Sequence, residues 1–200
     1  MVRLAHLADA AALARIESRS WRSAYASLLP EVRLAELEPE ARVSHWRARL
    51  RKNGRGRALY VAERPAWSGI PVGYTSVGAA DHPDLEPGFA GEVFELYVDP
   101  EHQGQGVGTE LLDAARDALR QMGFGWMVLE VLADNAGARR FYTARGLATE
   151  GRTRRRPSRD SGPGGLRFSQ PRSAVQVVRY EASLWELDVS VLRGPARNAT

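Results

Sequence analysis

The stretch that most constrains the fold runs from residue 92 to residue 132, where two apolar strand patterns enclose a glycine-rich turn and a helix pattern. The strands are "EVFELYV" (92–98) and "WMVLEVL" (126–132). Between them, leucine and alanine recur at helical spacing from Gly108 to Met122, and Gly123 supplies a left-handed stop. A strand, a helix and a strand in this order make the two strands parallel or nearly so, with a right-handed connection. The chain is therefore predicted to have a mixed α/β fold.

Patterns elsewhere predict two N-terminal helices, a hairpin and late strands. The predicted order is strand, helix, helix, three strands, helix, strand, helix and two strands. The bounds are 2–6 for the first strand, Asp9 to about Trp21 and Pro30 to about Leu50 for the first two helices, 58–63 and 72–80 for the hairpin, Asn135 to Gly146 for the last helix, and "LATEG" (147–151) and 174–182 for the late strands.

Residues 1–182 are expected to form one domain, and residues 183–200 an added strand and tail. Within the domain, residues 152–173 are rich in arginine, glycine and proline, which is the composition of a flexible loop. Residues 185–191, "WELDVSV", alternate strictly between apolar and polar, which predicts a half-buried strand. Such a strand needs a partner sheet. We expect that partner to be either the domain's own sheet or that of a second subunit, which would make a homodimer.

The composition argues against several classes of function. The chain has no cysteine, which excludes disulfides, thiolate metal sites and a cysteine nucleophile. Its four histidines show no HxxxH or HxH spacing, so we expect no metal site. No apolar run approaches the ~20 residues of a membrane span, and Asp9 and Glu17 fall where a signal peptide would have its apolar core. We therefore expect no membrane partner and a cytoplasmic location.

The net charge of +4 is unevenly distributed. Residues 151–172 hold seven arginines against one aspartate, whereas the rest of the chain is slightly acidic. A basic segment can bind nucleic acid, but this one offers only Phe168 for stacking on bases. A solvated linker is the favoured interpretation, and nucleic-acid binding is not expected.

The turn "HQGQGVG" (102–108) precedes a helix, which is a common position for a bound phosphate. A nucleoside triphosphate site needs a lysine before Thr109, and the position holds Gly108 instead. A dinucleotide site needs GxGxxG directly after a strand, whereas here the spacing is GxGxG and residues 99–102 intervene. The remaining design is a cradle for the pyrophosphate of coenzyme A, formed by successive N–H groups at the positive end of the helix dipole.

These motifs together resemble the GNAT superfamily of acetyl-CoA-dependent N-acetyltransferases. "QGQGVG" (103–108) is similar to the family's acetyl-CoA motif, [QR]-x-x-G-x-[GA], and "NAGARRFYTARGL" (135–147) is similar to the helix that follows it in the family. "SWRSAYASLLP" (20–30) resembles the opening helices of many bacterial members. The resemblance covers about residues 1–182. It implies acetyl-CoA as co-substrate, no metal, and a mostly antiparallel central sheet that splays between two parallel strands.

The resemblance also implies roles for particular residues. Backbone N–H groups of the turn would bind the diphosphate, from Gln103, Gly104, Gln105, Gly106, Val107, Gly108 and Thr109. Leu96 and Val98 would contact the pantetheine and the acetyl group through backbone atoms, and Asn135 would hydrogen-bond coenzyme A while capping its helix. Trp21 and Tyr25 would line the acceptor pocket, although core packing explains them equally well. His102, beside the turn, is expected to be an exposed residue with no role.

Tyr142 and two glutamates are the candidates for proton transfer. Acetyl transfer to an amine expels a thiolate, which a phenol such as Tyr142 can protonate; the alternative for Tyr142 is a place in the core. The incoming ammonium must lose a proton, and a carboxylate can accept it. Glu92 and Glu95 are three residues apart, so they face opposite sides of the strand unless a bulge intervenes. Glu95 is preferred as the base and Glu92 is second, with a merely paired or edge-exposed carboxylate as the alternative.

The predicted function is acetyl transfer from acetyl-CoA directly to a primary amine, without an acyl-enzyme intermediate. The acceptor is either a small molecule or a protein. Two alternatives remain open from the sequence: an acyltransferase that uses a longer acyl-CoA, and an acyl-CoA-binding regulatory module without turnover.

Overall fold

The computed structural model describes residues 1–25, 38–53, 56–64, 69–156 and 175–184. Within these ranges the strands are β1 (Val2–Leu4), β2 (Arg57–Glu63), β3 (Pro71–Ala79), β4 (Ala90–Val98), β5 (Trp126–Leu132), β6 (Ala148–Arg156) and β7 (Val175–Ser183). The α-helices are α1 (Ala10–Tyr25), α2 (Pro39–Leu50), α3 (Val107–Gln121) and α4 (Ala136–Ala144). The order of strands and helices is the predicted one.

The strands form one mixed sheet in the order β1-β2-β3-β4-β5-β7-β6. All neighbouring pairs are antiparallel except β4 and β5, which are parallel. These two strands pair only where residues 90–92 meet residues 126–128, although β4 continues to Val98 and β5 to Leu132. Beyond these pairs the strands part, as the resemblance implied. We call the opening between residues 93–98 and 129–132 the splay.

A β-bulge at Phe94 decides which way the side chains of β4 point. Val93 lies opposite Val77 and Glu95 lies opposite Ser76, so Phe94 has no partner of its own on β3. Because side chains alternate along a strand, the extra residue brings Glu92 and Glu95 onto the same face. Their spacing predicted opposite faces unless a bulge intervened, and the bulge is present.

Helices cover both faces of the sheet. α3 packs on β3 and β4 on one face, and α1 packs on the same two strands on the other. On the α1 side, the buried rings of Trp46 and Tyr74 meet edge to face with centroids 5.0 Å apart. On the α3 side, Leu119 lies so near β4 that a Cβ on Gly91 would come within 2.4 Å of its Cδ2 atom. A glycine at this position therefore lets α3 lie close to the sheet where the splay begins.

The second helix begins later than the sequence predicted. Its first residue is Pro39, and Glu38 before it is extended, with φ −60° and ψ 128°. A helix running unbroken from Pro30 to Leu50 is therefore wrong. The physical reason is that a proline disfavours the helical conformation in the residue that precedes it, while proline itself suits the first turn. Residues 26–37, with the predicted start at Pro30, lie outside the described residues.

The arginine-rich segment is also partly regular. Residues 152–156, predicted as the start of a loop, belong to β6 and pair with β7 through residues 153–156. The composition of this segment predicted a loop, but Thr153 and the residues after it pair with β7, and this pairing makes them part of a strand. The remainder of the predicted loop and the strand predicted at 185–191 lie outside the described residues. None of the described helices is both long and apolar enough to cross a membrane.

A buried ion pair joins α1 to α2. Glu17 is fully buried, and Arg42 donates to both of its carboxylate oxygens, from Nε at 3.0 Å and from Nη2 at 2.9 Å. Trp46 Nε1 donates a third hydrogen bond, at 2.9 Å. Burial raises the pKa of Glu17, and the donors from Arg42 and Trp46 offset only part of that effect.

Replacing Arg42 by leucine should destabilise the protein. Arg42→Leu leaves the Glu17 carboxylate buried with Trp46 as its remaining donor, and removing one partner of a buried pair costs about 3–5 kcal/mol of unfolding free energy. Urea denaturation followed by tryptophan fluorescence measures this loss. Arg47→Ala, at an exposed position of the same helix, is the matched control and should change stability by less than about 0.5 kcal/mol. Equal losses in the two variants would contradict the expectation.

Candidate active site

The glycine turn before α3 presents a row of backbone N–H groups. Gly104 and Gly106 have φ of +73° and +83°, a left-handed conformation that only glycine adopts readily. The N–H groups of residues 104–108 make no hydrogen bond to any residue that the structure describes. Those of Thr109 and Glu110 return to the Gly106 carbonyl, at 3.0 and 3.1 Å. The turn therefore offers several donors to an anion at the N-terminus of a fifteen-residue helix.

Side chains on both sides hold this turn in place. Asp99 accepts from the N–H of Glu101 and caps a short 3-10 helix, Pro100–His102. The Gln103 side chain donates to the Val98 carbonyl at 3.2 Å, and that of Gln105 to the Glu101 carbonyl at 3.0 Å. The end of β4 and the turn are thereby tied together. His102 is buried, with 7% exposure, so the expectation of an exposed residue is wrong; the 3-10 helix turns its ring inward.

The last helix packs against the turn and contributes a cation. A Cβ on Gly108 would lie 3.3 Å from the Phe141 ring, so the absence of a side chain lets α4 approach. Arg145 donates to Thr109 Oγ1 from Nε and Nη2, at 3.0 and 2.8 Å. This brings a guanidinium beside the row of N–H groups. Nothing in the sequence distinguishes Arg145 from the many other arginines of the chain.

Tyr142 lies on the buried side of α4, with 7% exposure. Its ring is 5.1 Å from the ring of Phe141 and 5.9 Å from that of Tyr180 on β7. Leu96 packs against the same apolar cluster, on the α3 face of the sheet. The structure therefore brings Tyr142 and the splayed half of β4 to one region. Asn135 caps α4 by accepting from the N–H of Ala138 at 3.0 Å.

The two glutamates of β4 share the α1 face but have different partners. Glu95 is buried, and Arg49 of α2 donates to both of its oxygens, including Nη1 to Oε1 at 3.0 Å. The guanidinium of Arg49 also lies over the Trp46 ring, 4.3 Å from its centroid. Glu92 lies beside a histidine instead, with its Oε2 3.0 Å from His82 Nε2.

His82 and Arg179 complete a polar group around Glu92. His82 Nδ1 lies 3.2 Å from Arg179 Nη2 and 3.7 Å from Glu130 Oε1. The sequence holds a signal for Arg179, since a charged residue inside the apolar run "AVQVVRYEA" is costly unless it is paired. His82, in the loop "DHPD", carries no comparable signal.

The residues predicted to line the acceptor pocket lie at the end of α1. Trp21 is buried, with 2% exposure, and Tyr25 is the last residue of the helix, one turn later. Ser20 beside them donates to the Val98 carbonyl at 3.2 Å, which ties α1 to the end of β4. In the described residues, no three acidic or histidine side chains are arranged to hold a metal ion.

Comparisons with known proteins identify the family. Residues 12–147, more than half of the chain, match the family described as "Acetyltransferase (GNAT) family". The chain belongs to this family of acetyltransferases. The structure of the PaiA N-acetyltransferase from Thermoplasma acidophilum in complex with coenzyme A has the same fold, with a TM-score of 0.62 and 16% identity. That alignment covers 91% of this chain and 98% of the other.

Two curated relatives are similar in sequence. The "Uncharacterized N-acetyltransferase YuaI" of Bacillus subtilis is 30% identical over 134 residues, which are 67% of this chain and 72% of that protein. A mycothiol acetyltransferase of Nocardiopsis dassonvillei is 42% identical over 74 residues, which are 37% of this chain. The matched part is only 22% of that longer protein.

His45 of α2 should make the protein sensitive to acid. Burial, reinforced by the cations Arg42 and Arg49, lowers the pKa of His45 to about 4, whereas an unfolded histidine has a pKa of about 6.5. The unfolded chain therefore binds more protons, and this contribution to stability is lost as the pH falls from about 6.5 to about 4.

Urea titrations between pH 7 and pH 4.5 measure this effect. The unfolding free energy should fall with pH, and His45→Gln should fall less steeply because glutamine does not titrate. Parallel pH dependences in the two proteins would contradict the assignment. Arg47→Ala, an exposed change in the same helix that keeps His45, is the control and should retain the pH dependence of the parent protein.

Proposed function

We propose that this protein transfers the acetyl group of acetyl-CoA directly to a primary amine. The observation that carries the proposal is the row of N–H groups at residues 104–108, which find no acceptor among the described residues and lie beside the splay. Family membership supports an acetyltransferase, and the coenzyme A in the PaiA structure supports the donor. The acceptor is a small molecule or a protein amine.

In this proposal the pyrophosphate of coenzyme A binds in the turn formed by Gln103 to Thr109. The N–H groups and the helix dipole offset its charge, and the guanidinium of Arg145 lies near enough to Thr109 to add to them. The pantetheine then runs along the splayed half of β4. The backbone groups of Leu96 and the N–H of Val98 face no neighbouring strand on that side, because β5 has parted from β4, whereas the Val98 carbonyl already accepts from Ser20 and Gln103. Strand-like pairing with the pantetheine amides satisfies them.

The chemical step then balances with two proton transfers. The ammonium first gives one proton to a carboxylate, which releases it to water. The neutral amine attacks the thioester carbon, the carbon–sulfur bond breaks, and Tyr142 protonates the leaving thiolate. The second proton, which leaves nitrogen as the amide forms, restores the phenol. The products are the acetylated amine and free coenzyme A, and no covalent enzyme intermediate is needed.

Of the two glutamates, we propose Glu92 as the base ahead of Glu95. Arg49 donates to both oxygens of Glu95, so the charge of this carboxylate is already matched by a guanidinium and attracts an ammonium less strongly. Glu92 is 14% exposed in its side chain and faces a histidine rather than a guanidinium. This reverses the order of preference drawn from the sequence, which showed neither partner.

An assay of thioester cleavage tests the proposed function. Release of coenzyme A from acetyl-CoA is followed with a primary alkylamine, a polyamine and a peptide with a free N-terminus, each against a buffer blank. Amine-dependent release together with the acetylated product in the mass spectrum is the expected result. Binding of acetyl-CoA without turnover of any amine would favour the regulatory module. Faster release from a longer acyl-CoA than from acetyl-CoA would favour the alternative acyl donor.

Replacing Gly106 by valine should weaken acetyl-CoA binding. A side chain at φ +83° strains the turn by about 1–2 kcal/mol and crowds the N–H groups, so calorimetry should show at least about tenfold weaker affinity. Gly123→Val is the matched control. Gly123 has φ +91° and open space around it, but it lies beyond the opposite end of α3. Equal losses of affinity in the two variants would contradict the binding of acetyl-CoA at the glycine turn.

Removing the phenol of Tyr142 should slow the reaction without weakening cofactor binding. Tyr142→Phe keeps the ring packing but loses the proton donor, so kcat should fall about 10²-fold or more. The calorimetric Kd for acetyl-CoA should change little. Tyr180→Phe, a buried tyrosine beside it, is the control and should keep most of its turnover. If kcat is unchanged in Tyr142→Phe, Tyr142 is not the acid that protonates the thiolate.

A further inference from the structure

Arg64 directly follows β2, and its side chain reaches the glycine turn before α3. Its Nη2 atom donates to the Gln105 carbonyl at 3.3 Å, and its Nη1 atom donates to Glu110 Oε2 at 3.0 Å. Nη2 also lies 2.9 Å from Glu110 Oε1. One guanidinium therefore holds both the backbone of the turn and a side chain in the first turn of the helix that follows it.

The hydrogen bond to the Gln105 carbonyl fixes the direction of the next N–H group. The peptide between Gln105 and Gly106 is trans, so its carbonyl and the N–H of Gly106 point in opposite directions. Because the carbonyl points toward Arg64, the Gly106 N–H points away from Arg64. This N–H is one of those that make no hydrogen bond to any residue that the structure describes. The Gln105 side chain donates to the Glu101 carbonyl at 3.0 Å and holds the same residue from a second direction.

The peptide needs such a bond because a glycine lies on each side of Gln105. Gly104 and Gly106 have φ of +73° and +83°, and glycine has more accessible backbone conformations than any other residue. A rotated Gln105–Gly106 peptide would present its carbonyl oxygen, instead of the N–H, to an anion bound at the turn. The partial negative charge of that oxygen would repel a phosphate. Arg64 therefore holds the peptide in the orientation that suits an anion.

Arg64 also matches the charge of a carboxylate close to the turn. The N–H of Glu110 donates to the Gly106 carbonyl at 3.1 Å, so this acidic residue lies next to the row of N–H groups. The hydrogen bonds from Arg64 hold the pKa of Glu110 below its ordinary value, so the carboxylate is charged at neutral pH. The ammonium of Met1, 3.5 Å from Glu110 Oε2, is a second cation beside it. Without a cation, this negative charge would repel the diphosphate of coenzyme A.

We propose that Arg64 is a positioning residue of the acetyl-CoA site, which turns the Gly106 N–H toward the pyrophosphate and neutralises Glu110 beside it. This role rests on the proposed binding of acetyl-CoA at the glycine turn. Arg64 acts through Gln105 and Glu110 and not on the reacting groups. It should therefore govern the affinity for the cofactor and leave the chemical step unchanged.

Calorimetry with coenzyme A measures this role without turnover. Arg64→Met should weaken binding about tenfold, because it removes a charge-assisted hydrogen bond and leaves Glu110 with one cation fewer. With saturating acetyl-CoA and the best amine of the panel, kcat should stay within about twofold of the wild-type value. Wild-type affinity in Arg64→Met would overturn the proposal.

Arg120→Met is the matched control. Arg120 also pairs with an acidic residue of α3, Asp117, and donates to a backbone carbonyl, but it lies near the opposite end of the helix. The affinity of Arg120→Met for coenzyme A should equal that of the wild type. Equal losses in Arg64→Met and Arg120→Met would overturn the proposal, because the loss would then not depend on the turn.

A second substitution separates neutralisation from a general loss of structure. Glu110→Gln should bind coenzyme A at least as tightly as the wild type, since it removes a negative charge near the turn. Arg64→Met combined with Glu110→Gln should bind about threefold more tightly than Arg64→Met alone. A turn that had merely lost its structure would not regain affinity from this change. A double variant no tighter than Arg64→Met would overturn the neutralisation of Glu110.

The Gly106 amide reports the direction of the peptide in a ¹H–¹⁵N spectrum of glycine-labelled protein. Its signal is identified by its absence in Gly106→Ala. Saturating coenzyme A should move the amide proton of the wild type downfield, because a hydrogen bond to phosphate forms. The shift should be smaller in Arg64→Met and unchanged in Arg120→Met. A full shift in Arg64→Met would overturn the proposed control of the peptide.

The outcomes separate the two proposals. If wild-type protein binds coenzyme A but acetylates no amine, the proposed acetyl transfer fails, and calorimetry still tests the role of Arg64. If wild-type protein is active and Arg64→Met keeps its affinity, only the role of Arg64 is overturned. If wild-type protein binds no coenzyme A, both proposals fail. Urea denaturation of each variant verifies that it is folded under the conditions of the measurement.

Discussion

The short pairing of β4 and β5 is the constraint on which the rest of the molecule depends. Parallel strands require a crossover, and α3 supplies it by packing on β3 and β4. Pairing stops after three residues on each strand, which leaves the later backbone groups of β4 without a neighbouring strand. Unpaired backbone groups beside a core need another partner. The sheet therefore lacks strand-to-strand hydrogen bonds at the splay, and an extended ligand can supply them there.

On the α1 side of the sheet, buried carboxylates lie beside basic side chains. Glu17 is bound by Arg42, and Glu95 by Arg49, so two carboxylates are matched by cations from α2. Glu92 is the exception, with an imidazole in place of a guanidinium. The Glu17–Arg42 pair joins α2 to α1, and the Glu95–Arg49 pair joins α2 to β4, so both pairs hold helices in place. The less compensated carboxylate is the one proposed above for proton transfer. The bulge at Phe94 is what brings both kinds of carboxylate to one face.

Much of the architecture could be predicted because its signals are local. Apolar periodicity gave α3, β4 and β5 within a few residues, and the glycines before α3 identified a backbone cradle. Errors arose where a neighbouring element decides the outcome. The composition of residues 152–156 predicted a loop, but these residues belong to β6, which pairs with β7. His102 was expected on the surface, but the 3-10 helix that precedes the turn buries it.

The sequence by itself determined the order of elements, the family and the glycine turn, because each depends on residues within one turn or one strand of one another. Only the tertiary structure decided which glutamate meets Arg49 and which meets His82. Those contacts join residues 49 and 95, or 82, 92, 130 and 179, from elements far apart in the chain. The one extra residue of the β4 bulge turns every later side chain of the strand to the other face, and the apolar pattern of the sequence does not reveal the bulge. The partners that distinguish the two carboxylates therefore become visible only once the sheet is assembled.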